Sequence, residues 1–214
     1  QMDKLLKDIK AHDTHFQPGV SRASEKVDFI EDEETALKVP EEDLHIFDGK
    51  TVICVIFSGG IDSTFALYWA KHCFPENRII GIFSDPGVEL PGMALHTYRV
   101  CLSIGAEHVL VKPKGDMFIE MVKNASWPST IVPWCQQEFI YKPVNDWILD
   151  NLDPAQTVIL NGSRGDQVTR LSRKTKTSNP NKRMAAFSYY SPGYDISRET
   201  VMSILKKSGV PLWS

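Results

Sequence analysis

The feature that most constrains the fold is a pair of glycines placed between a continuous apolar run and a helical pattern. Residues 51–57 are β-branched or apolar throughout, which is typical of a strand buried on both faces of a parallel sheet. The string Ser-Gly-Gly-Ile-Asp-Ser-Thr follows directly at 58–64, and apolar residues then recur at helical spacing as far as Cys73. A strand, a tight turn and a helix in this order predict the first half of a βαβ unit.

The same alternation of strand and helix continues along the rest of the chain. Further strands are predicted at 78–83, 108–111, 157–160 and 184–190, and further helices at 91–104, 115–124, 139–151 and 198–208. The pattern predicts an α/β fold of three layers, in which a mostly parallel five-stranded sheet carries helices on both faces. Residues 1–49 lack this regularity, so we expect an N-terminal extension that packs on a domain formed by residues 50–214.

The turn at 58–64 has the chemistry of an anion-binding site. Glycines let backbone amides approach a phosphate closely, and the following helix start adds N–H donors with a partial positive charge. The hydroxyl-bearing residues at its mouth are Ser58, Ser63 and Thr64. Asp62 is the carboxylate that would either hold a magnesium ion bridging phosphate oxygens or cap the helix. The sequence contains neither the Gly-x-x-x-x-Gly-Lys-[Ser/Thr] loop nor the Gly-x-Gly-x-x-Gly fingerprint of other nucleotide-binding proteins.

The loop and three other segments carry a family resemblance. The string at 58–64 resembles the pyrophosphatase loop (PP-loop) of the adenine nucleotide alpha-hydrolase superfamily. Three segments resemble the phosphoadenosine phosphosulfate (PAPS) reductase-like branch of it: Ser-Asp-Pro-Gly-Val-Glu-Leu-Pro at 84–91, Gly-Ser-Arg-Gly-Asp-Gln at 162–167 with Arg170 beyond, and Gly-Val-Pro-Leu-Trp at 209–213. The resemblance covers residues 50–213.

The resemblance implies roles for particular residues. The phosphates of an adenine nucleotide would be held by Ser58, Gly59, Gly60, Asp62, Ser63 and Thr64, with Gly162 nearby. Residues Phe83, Ser84 and Asp85 would line the adenine and ribose. Arg164 and Arg170 would neutralise phosphate or sulfate from the opposite side, which suits the planar, permanently charged guanidinium. The residues expected to take part in catalysis are Asp62, Arg164 and, because Trp134-Cys135 is similar to a Trp-Cys pair in some relatives, Cys135.

Three functions remain open at this stage. The first is a PP-loop enzyme that binds ATP or a related adenylyl nucleotide with magnesium, adenylylates an unknown acceptor and releases pyrophosphate. The second is a sulfonucleotide reductase or a derivative of one. PAPS reductases proper use a cysteine in a C-terminal Glu-Cys-Gly-x-His tail, and no cysteine follows Cys135, so either the tail lies beyond the sequence or this chain does not perform that reduction. The third is a nucleotide-binding subunit without turnover in a nucleic-acid modification or sulfuration assembly.

Net charge, charge distribution and apolar run length limit the classes of binding partner that the sequence favours. The net charge of -3 argues against a dedicated nucleic-acid coat, and the ten acidic residues between 25 and 48 are expected to lie on a solvated surface. Seven basic residues against one acid between 164 and 183 form either a solvated loop or a lid over an anionic substrate. The longest apolar run is six residues, far below the ~18 that a spanning helix needs. We therefore expect a cytoplasmic protein with no membrane partner. A thiol or sulfur donor protein, a nucleic acid and a second copy of the chain remain open as partners.

The cysteines give no local signature for a metal. No Cys-x-x-Cys pair occurs among the four cysteines, so neither structural zinc nor a four-cysteine cluster is indicated. His96 and Cys101 fall near one face of the predicted helix at 91–104, but the sequence offers no further ligand beside them. Metal binding at that helix is therefore not predicted.

Overall fold

A single parallel sheet organises the chain. The computed structural model describes residues 29–123, 134–165, 176–177 and 182–213. Within them, five strands pair in parallel in the order β3-β2-β1-β4-β5. The strands are β1 Val52–Ile56, β2 Arg78–Ser84, β3 Glu107–Val111, β4 Thr157–Leu160 and β5 Ser188–Tyr190. Because every strand points the same way, all five carboxyl ends lie at one edge of the sheet.

Helices cover both faces of this sheet. They are α1 Glu33–Ala36, α2 Ile61–Cys73, α3 Met93–Ile104, α4 Met117–Lys123, α5 Trp134–Gln136, α6 Lys142–Asn151 and α7 Arg198–Ser208. Alternate residues of β1 enter different cores: Ile53 and Val55 pack with α2, α3 and α7, whereas Cys54 packs with α6. The two cores explain why the strand is apolar at every position. The predicted three-layer α/β fold is confirmed, and all of its described strands are parallel.

Two elements differ from the sequence prediction. The strand predicted over 184–190 is shorter, because Lys182–Met184 forms a 3-10 turn and only Ser188–Tyr190 pairs with β4. Met184 is nevertheless fully buried, so its apolar character reflects packing and not strand formation. The helix predicted over 139–151 begins earlier, at Trp134, and passes through a π-helical turn at Gln137–Tyr141.

The described part of the N-terminal extension lies against the sheet and α7. Ile30 forms a parallel bridge with Ile196, and the Glu33 carboxylate accepts hydrogen bonds from Ser203 and Lys207 on α7. The Tyr190 hydroxyl donates to Asp43 at 3.0 Å. The division at residue 49 stays a prediction, and residues 1–28 lie outside the described part of the chain.

No helix in the described ranges has the length and apolar character needed to cross a membrane.

Candidate anion-binding site

The loop between β1 and α2 lies where the order of the strands reverses. From β1 the chain moves to β2 and β3 on one side, and it later returns to β4 and β5 on the other side. In open parallel sheets, ligands bind beyond the carboxyl ends of the strands at this switch point. The loop predicted to bind phosphate therefore lies at the position that the topology favours.

Hydroxyl groups hold the loop in a compact turn. The Ser63 hydroxyl donates to the Gly60 carbonyl at 3.0 Å and accepts from the Ser58 amide at 3.2 Å. The Ser58 hydroxyl lies 3.1 Å from the Ser63 hydroxyl and accepts from the Gly60 amide at 3.4 Å. These bonds use the serines within the loop, so the fixed groups that it presents are mainly those of the backbone.

The start of α2 supplies the positive end of a helix. Its first helical hydrogen bond runs from the Thr64 amide to the Gly60 carbonyl at 2.9 Å. Amides earlier in the turn precede that bond and face the carboxyl edge of the sheet, where they carry the partial positive charge of the helix dipole. Ser63 and Thr64 are themselves buried, which fixes the first turn against the core.

Gly162 lets the end of β4 approach this helix start. A Cβ at Gly162 would stand 2.6 Å from the Ser63 amide nitrogen and 2.8 Å from the carbonyl carbon of Asp62. Both are backbone atoms, so no rotation of a side chain would relieve the contact. Gly162 was predicted as a nucleotide-binding residue, and the structure gives it a packing role directly behind the loop.

Asp62 and Arg164 form an ion pair at the loop. The Arg164 side chain is only 6% exposed. Its Nη1 donates a hydrogen bond to Asp62 Oδ1 at 2.9 Å. A guanidinium buried to this extent requires such a partner, because an uncompensated buried charge is costly. Arg164 thus lies at the same edge of the sheet as the loop, and its predicted contact with a phosphate or sulfate from the opposite side stays a prediction.

The described residues do not form a preformed site for magnesium. One Asp62 oxygen accepts from Arg164, and no group of three or more carboxylate, histidine or cysteine side chains lies close enough to hold a metal within the described ranges. Magnesium is normally held by one or two carboxylates together with phosphate oxygens and water. The predicted role of Asp62 as a metal ligand therefore gains no support from its surroundings.

The predicted adenine and ribose segment follows β2. The side chains of Phe83 and Ser84 are buried, and the Ser84 hydroxyl donates to the Phe139 carbonyl at 2.8 Å. Asp85 accepts from the Gly87 amide at 2.9 Å in a tight turn. Glu89 lies beyond this turn; partial desolvation and the charge of Asp85 raise its pKa, although much of its side chain is exposed. The side chains of Phe83 and Ser84 are therefore used within the fold, and contact of this segment with adenine or ribose stays a prediction.

The other wall of the loop comes from α3. Gly59 has a φ of +79°, and a Cβ on it would stand 2.8 Å from Met93 Sδ and 3.1 Å from Thr97 Cγ2. His96 lies beside them, and its ring meets the ring of Trp213 edge to face with centroids 5.1 Å apart. The C-terminal segment that carries Trp213 therefore reaches the helix that supports the loop.

Sequence reasoning did not assign His96 or Asn161 to this region. Asn161 follows β4, and its Oδ1 accepts from the Ser163 amide at 2.9 Å and from the Ser191 hydroxyl at 2.8 Å. Asn161 thus fixes the segment that leads to Arg164. An asparagine directly after a buried strand was the available signal, because its side chain commonly bonds backbone amides two residues on.

The basic segment after β4 is described only in part. Lys176 pairs with Asp43 at 3.0 Å and Asp195 at 3.2 Å, and Arg183 pairs with Asp146 at 3.0 Å. The two ion pairs of Lys176 tie it to other parts of the fold, which indicates a structural role for this lysine. The predictions for Arg170, Arg173 and Lys174, and for closure of this segment over a nucleotide, fall on residues outside the described ranges.

Cys135 lies on α5, ahead of the π-helical turn whose Phe139 carbonyl meets Ser84 at the end of β2. The thiol is half-buried and not part of a disulfide. No described contact joins it to the loop, so its catalytic role stays a prediction.

Comparison with known proteins agrees with the fold. No protein-family model matches the chain, and no curated protein matches it in sequence. Among solved structures, a crystal structure of PAPS reductase from Candida auris, a phosphate complex, is similar with a TM-score of 0.54 and 14% identity. The similarity covers 84% of this chain and 85% of that chain. Together with the parallel sheet and its strand order, this similarity shows that the chain has a PAPS reductase-like fold.

Proposed function

We propose that the protein is a PP-loop enzyme that binds the phosphates of ATP or a related adenylyl nucleotide at the Ser58–Thr64 loop. We propose adenylylation as its reaction: an oxygen of the acceptor attacks the α-phosphorus of ATP, pyrophosphate leaves, and the acceptor becomes adenylylated. The support comes from the loop geometry at the switch point of the sheet and from the similar fold of a PAPS reductase whose structure is a phosphate complex.

Gly60 carries this proposal. The fold explains Gly59 through its positive φ and Gly162 through its contact with the backbone of α2. It does not explain Gly60, which has an extended backbone with φ -75° and ψ 162°. A Cβ there would meet only the Ser58 hydroxyl, at 3.5 Å. Gly60 is also the N-cap of α2, where serine, asparagine or aspartate would stabilise the helix more than glycine does. A glycine that neither the backbone angles nor the packing requires is accounted for by a ligand that approaches the main chain closely.

The residues around the loop would act by positioning and charge. Amides of the loop and of the first turn of α2 would bind phosphate oxygens, and the helix dipole would stabilise negative charge that develops on the leaving pyrophosphate. The Asp62–Arg164 pair would hold the helix start against the segment after β4. Magnesium, when bound to the polyphosphate, would supply further charge neutralisation; no step depends on a resident ion.

A Gly60→Val variant tests the site. Its side chain would occupy the approach to the amides, while the extended backbone accepts valine. We expect Tm to fall only by the small amount that a poorer helix cap causes. The affinity for ATP should fall at least tenfold, equal to ~1.4 kcal/mol of binding free energy. Isothermal titration calorimetry gives the affinity. Gly193→Ala is the matched control, because a Cβ at Gly193 meets only the Phe65 ring at 3.5 Å. Equal ATP binding by Gly60→Val and the unmodified protein would refute the proposal.

A sulfonucleotide reductase is the second candidate, because the similar crystal structure is a PAPS reductase. A binding panel of ATP, PAPS, adenosine phosphosulfate and adenosine separates the two. Preference for PAPS or adenosine phosphosulfate over ATP, together with sulfite release in the presence of a thiol donor, would favour the reductase. Pyrophosphate release from ATP would favour adenylylation.

A further inference from the structure

We infer that His96 is a ligand-binding residue of the phosphate loop, which takes up a proton from solvent as an anion binds and then stabilises that anion with its positive charge. The inference deepens the proposed function and rests on it. No motif of the sequence assigned His96 to the loop.

The first support is an unsatisfied polar atom. His96 is 9% exposed, and its Nε2 is buried without a hydrogen bond of normal length and angle among the described residues. Buried polar side-chain atoms are bonded in the large majority of cases, so an unpaired one requires a reason. A histidine placed only for packing would be replaced without loss by an apolar residue of similar shape.

The second support is the direction of the ring. The carbon bonded to Nε2, Cδ2, lies 3.4 Å from the position that a Cβ on Gly59 would occupy. The Cδ2 edge of the ring, which ends at Nε2, therefore packs against the loop at its left-handed residue. The Trp213 ring packs on the imidazole and is itself 40% exposed, so it covers this part of α3 from the solvent.

The third support is the charge state. Burial lowers the pKa of His96; a hydrogen-bonding contact of the ring with the Gly59 backbone opposes this shift, and the positive charge of Arg99 adds to it. An anion at the loop would raise the same pKa, because an opposite charge favours the protonated form. Binding of an anion and of a proton are then coupled, and each must increase the affinity for the other.

Among the described residues, Arg99 stays positively charged near neutral pH, and two further titratable groups do not supply this coupling. On the loop, the Asp62 carboxylate is paired with Arg164. On β3, His108 Nε2 lies 3.0 Å from the Thr97 hydroxyl and so already has a partner. Burial lowers the pKa of His108 as well. This makes His108 a matched control: a second partly buried histidine near α3 whose Nε2 is satisfied.

The test uses inorganic sulfate, which keeps the same charge between pH 5.5 and 8. Sulfate affinity is measured by NMR titration at constant ionic strength for the unmodified protein, His96→Gln and His108→Gln. The unmodified protein and His108→Gln should bind sulfate several-fold more tightly at pH 5.5 than at pH 8, approaching the limit of about tenfold that a shift of one pKa unit sets. His96→Gln should show a pH dependence reduced to less than twofold.

A second measurement applies even if His96→Gln folds poorly. The titration of the His96 ring in the unmodified protein, followed by NMR with and without saturating sulfate, should move to higher pH when sulfate is bound. An unchanged His96 titration, or an equal pH dependence in His96→Gln, would overturn this inference while leaving the proposed function standing if ATP still binds. Failure of both sulfate and ATP to bind the unmodified protein would overturn both.

Discussion

Replacing Gly162 by alanine should cost stability that can be worked out from the backbone contacts. Its Cβ would stand 2.6 Å from Ser63 N and 2.9 Å from Ser63 Cα, so the start of α2 or the end of β4 has to move. Overpacking in a core costs about 1–3 kcal/mol, and contacts with backbone place this variant near 3 kcal/mol. Alanine also stabilises the folded state by about 0.4–1 kcal/mol, because it lowers the conformational entropy of the unfolded chain. The net loss is about 2 kcal/mol, which for a chain of this size lowers Tm by about 4–8 °C.

The assay is thermal unfolding followed by circular dichroism, with urea unfolding as a second measure. Gly193→Ala is the control, because its Cβ makes only an ordinary contact with Phe65 at 3.5 Å and should leave Tm unchanged or slightly higher. Gly162→Ala should also weaken ATP binding, since the displaced atoms belong to the helix start that would bind phosphate. If Gly162→Ala and Gly193→Ala unfold at the same temperature, the close approach of β4 to α2 is wrong.

Two further predictions concern the helix cap and the histidines. Ser197 caps α7 by accepting from the Thr200 amide at 3.1 Å, so Ser197→Ala should lower the free energy of unfolding by about 1 kcal/mol in urea; a change below 0.3 kcal/mol would contradict that role. Burial lowers the pKa of His96 and His108 in the folded protein, so the unfolded chain binds protons on these side chains more readily. The free energy of unfolding is therefore highest above the pKa of about 6.5 in the unfolded chain, and it decreases as the pH falls below that value. Tm measured between pH 7.5 and 5 should therefore fall less in a His96→Gln, His108→Gln double variant than in the unmodified protein.

Local signals explain the elements that the sequence predicted well. The bounds of β4 and α7 were predicted at 157–160 and 198–208, as found. An apolar run fixes the first, and the Ser197 cap with Gly209 at φ +71° fixes the second. The strand prediction at 184–190 was too long because the apolar residues Met184 and Phe187 resemble a strand pattern. Both are buried by packing, and the chain makes a 3-10 turn at Lys182–Met184 before it reaches β5.

Contacts between distant segments could not be predicted in the same way. Asp62 and Arg164 were both expected beside the phosphates of a nucleotide, but their pairing depends on β4 lying directly beside β1, with Val55 opposite Leu160. Alternation of strand and helix predicts a parallel sheet without giving its strand order. For the same reason, the sequence showed His96 only as a residue near Cys101 on one helix, and not as a neighbour of Gly59.

A site made from backbone amides, as proposed for the Ser58–Thr64 loop, would depend on very few side chains. It needs an absence of Cβ atoms where chains approach closely and a helix start aimed at the ligand. The fold requires glycine at Gly59 and Gly162, whereas at Gly60 it leaves room for a Cβ, so the proposed ligand would be the reason for that glycine. Substitutions at Gly162 should therefore lower stability and binding together, and substitutions at Gly60 should lower binding alone. That difference separates a loop that only completes a strand–turn–helix unit from one that binds an anion.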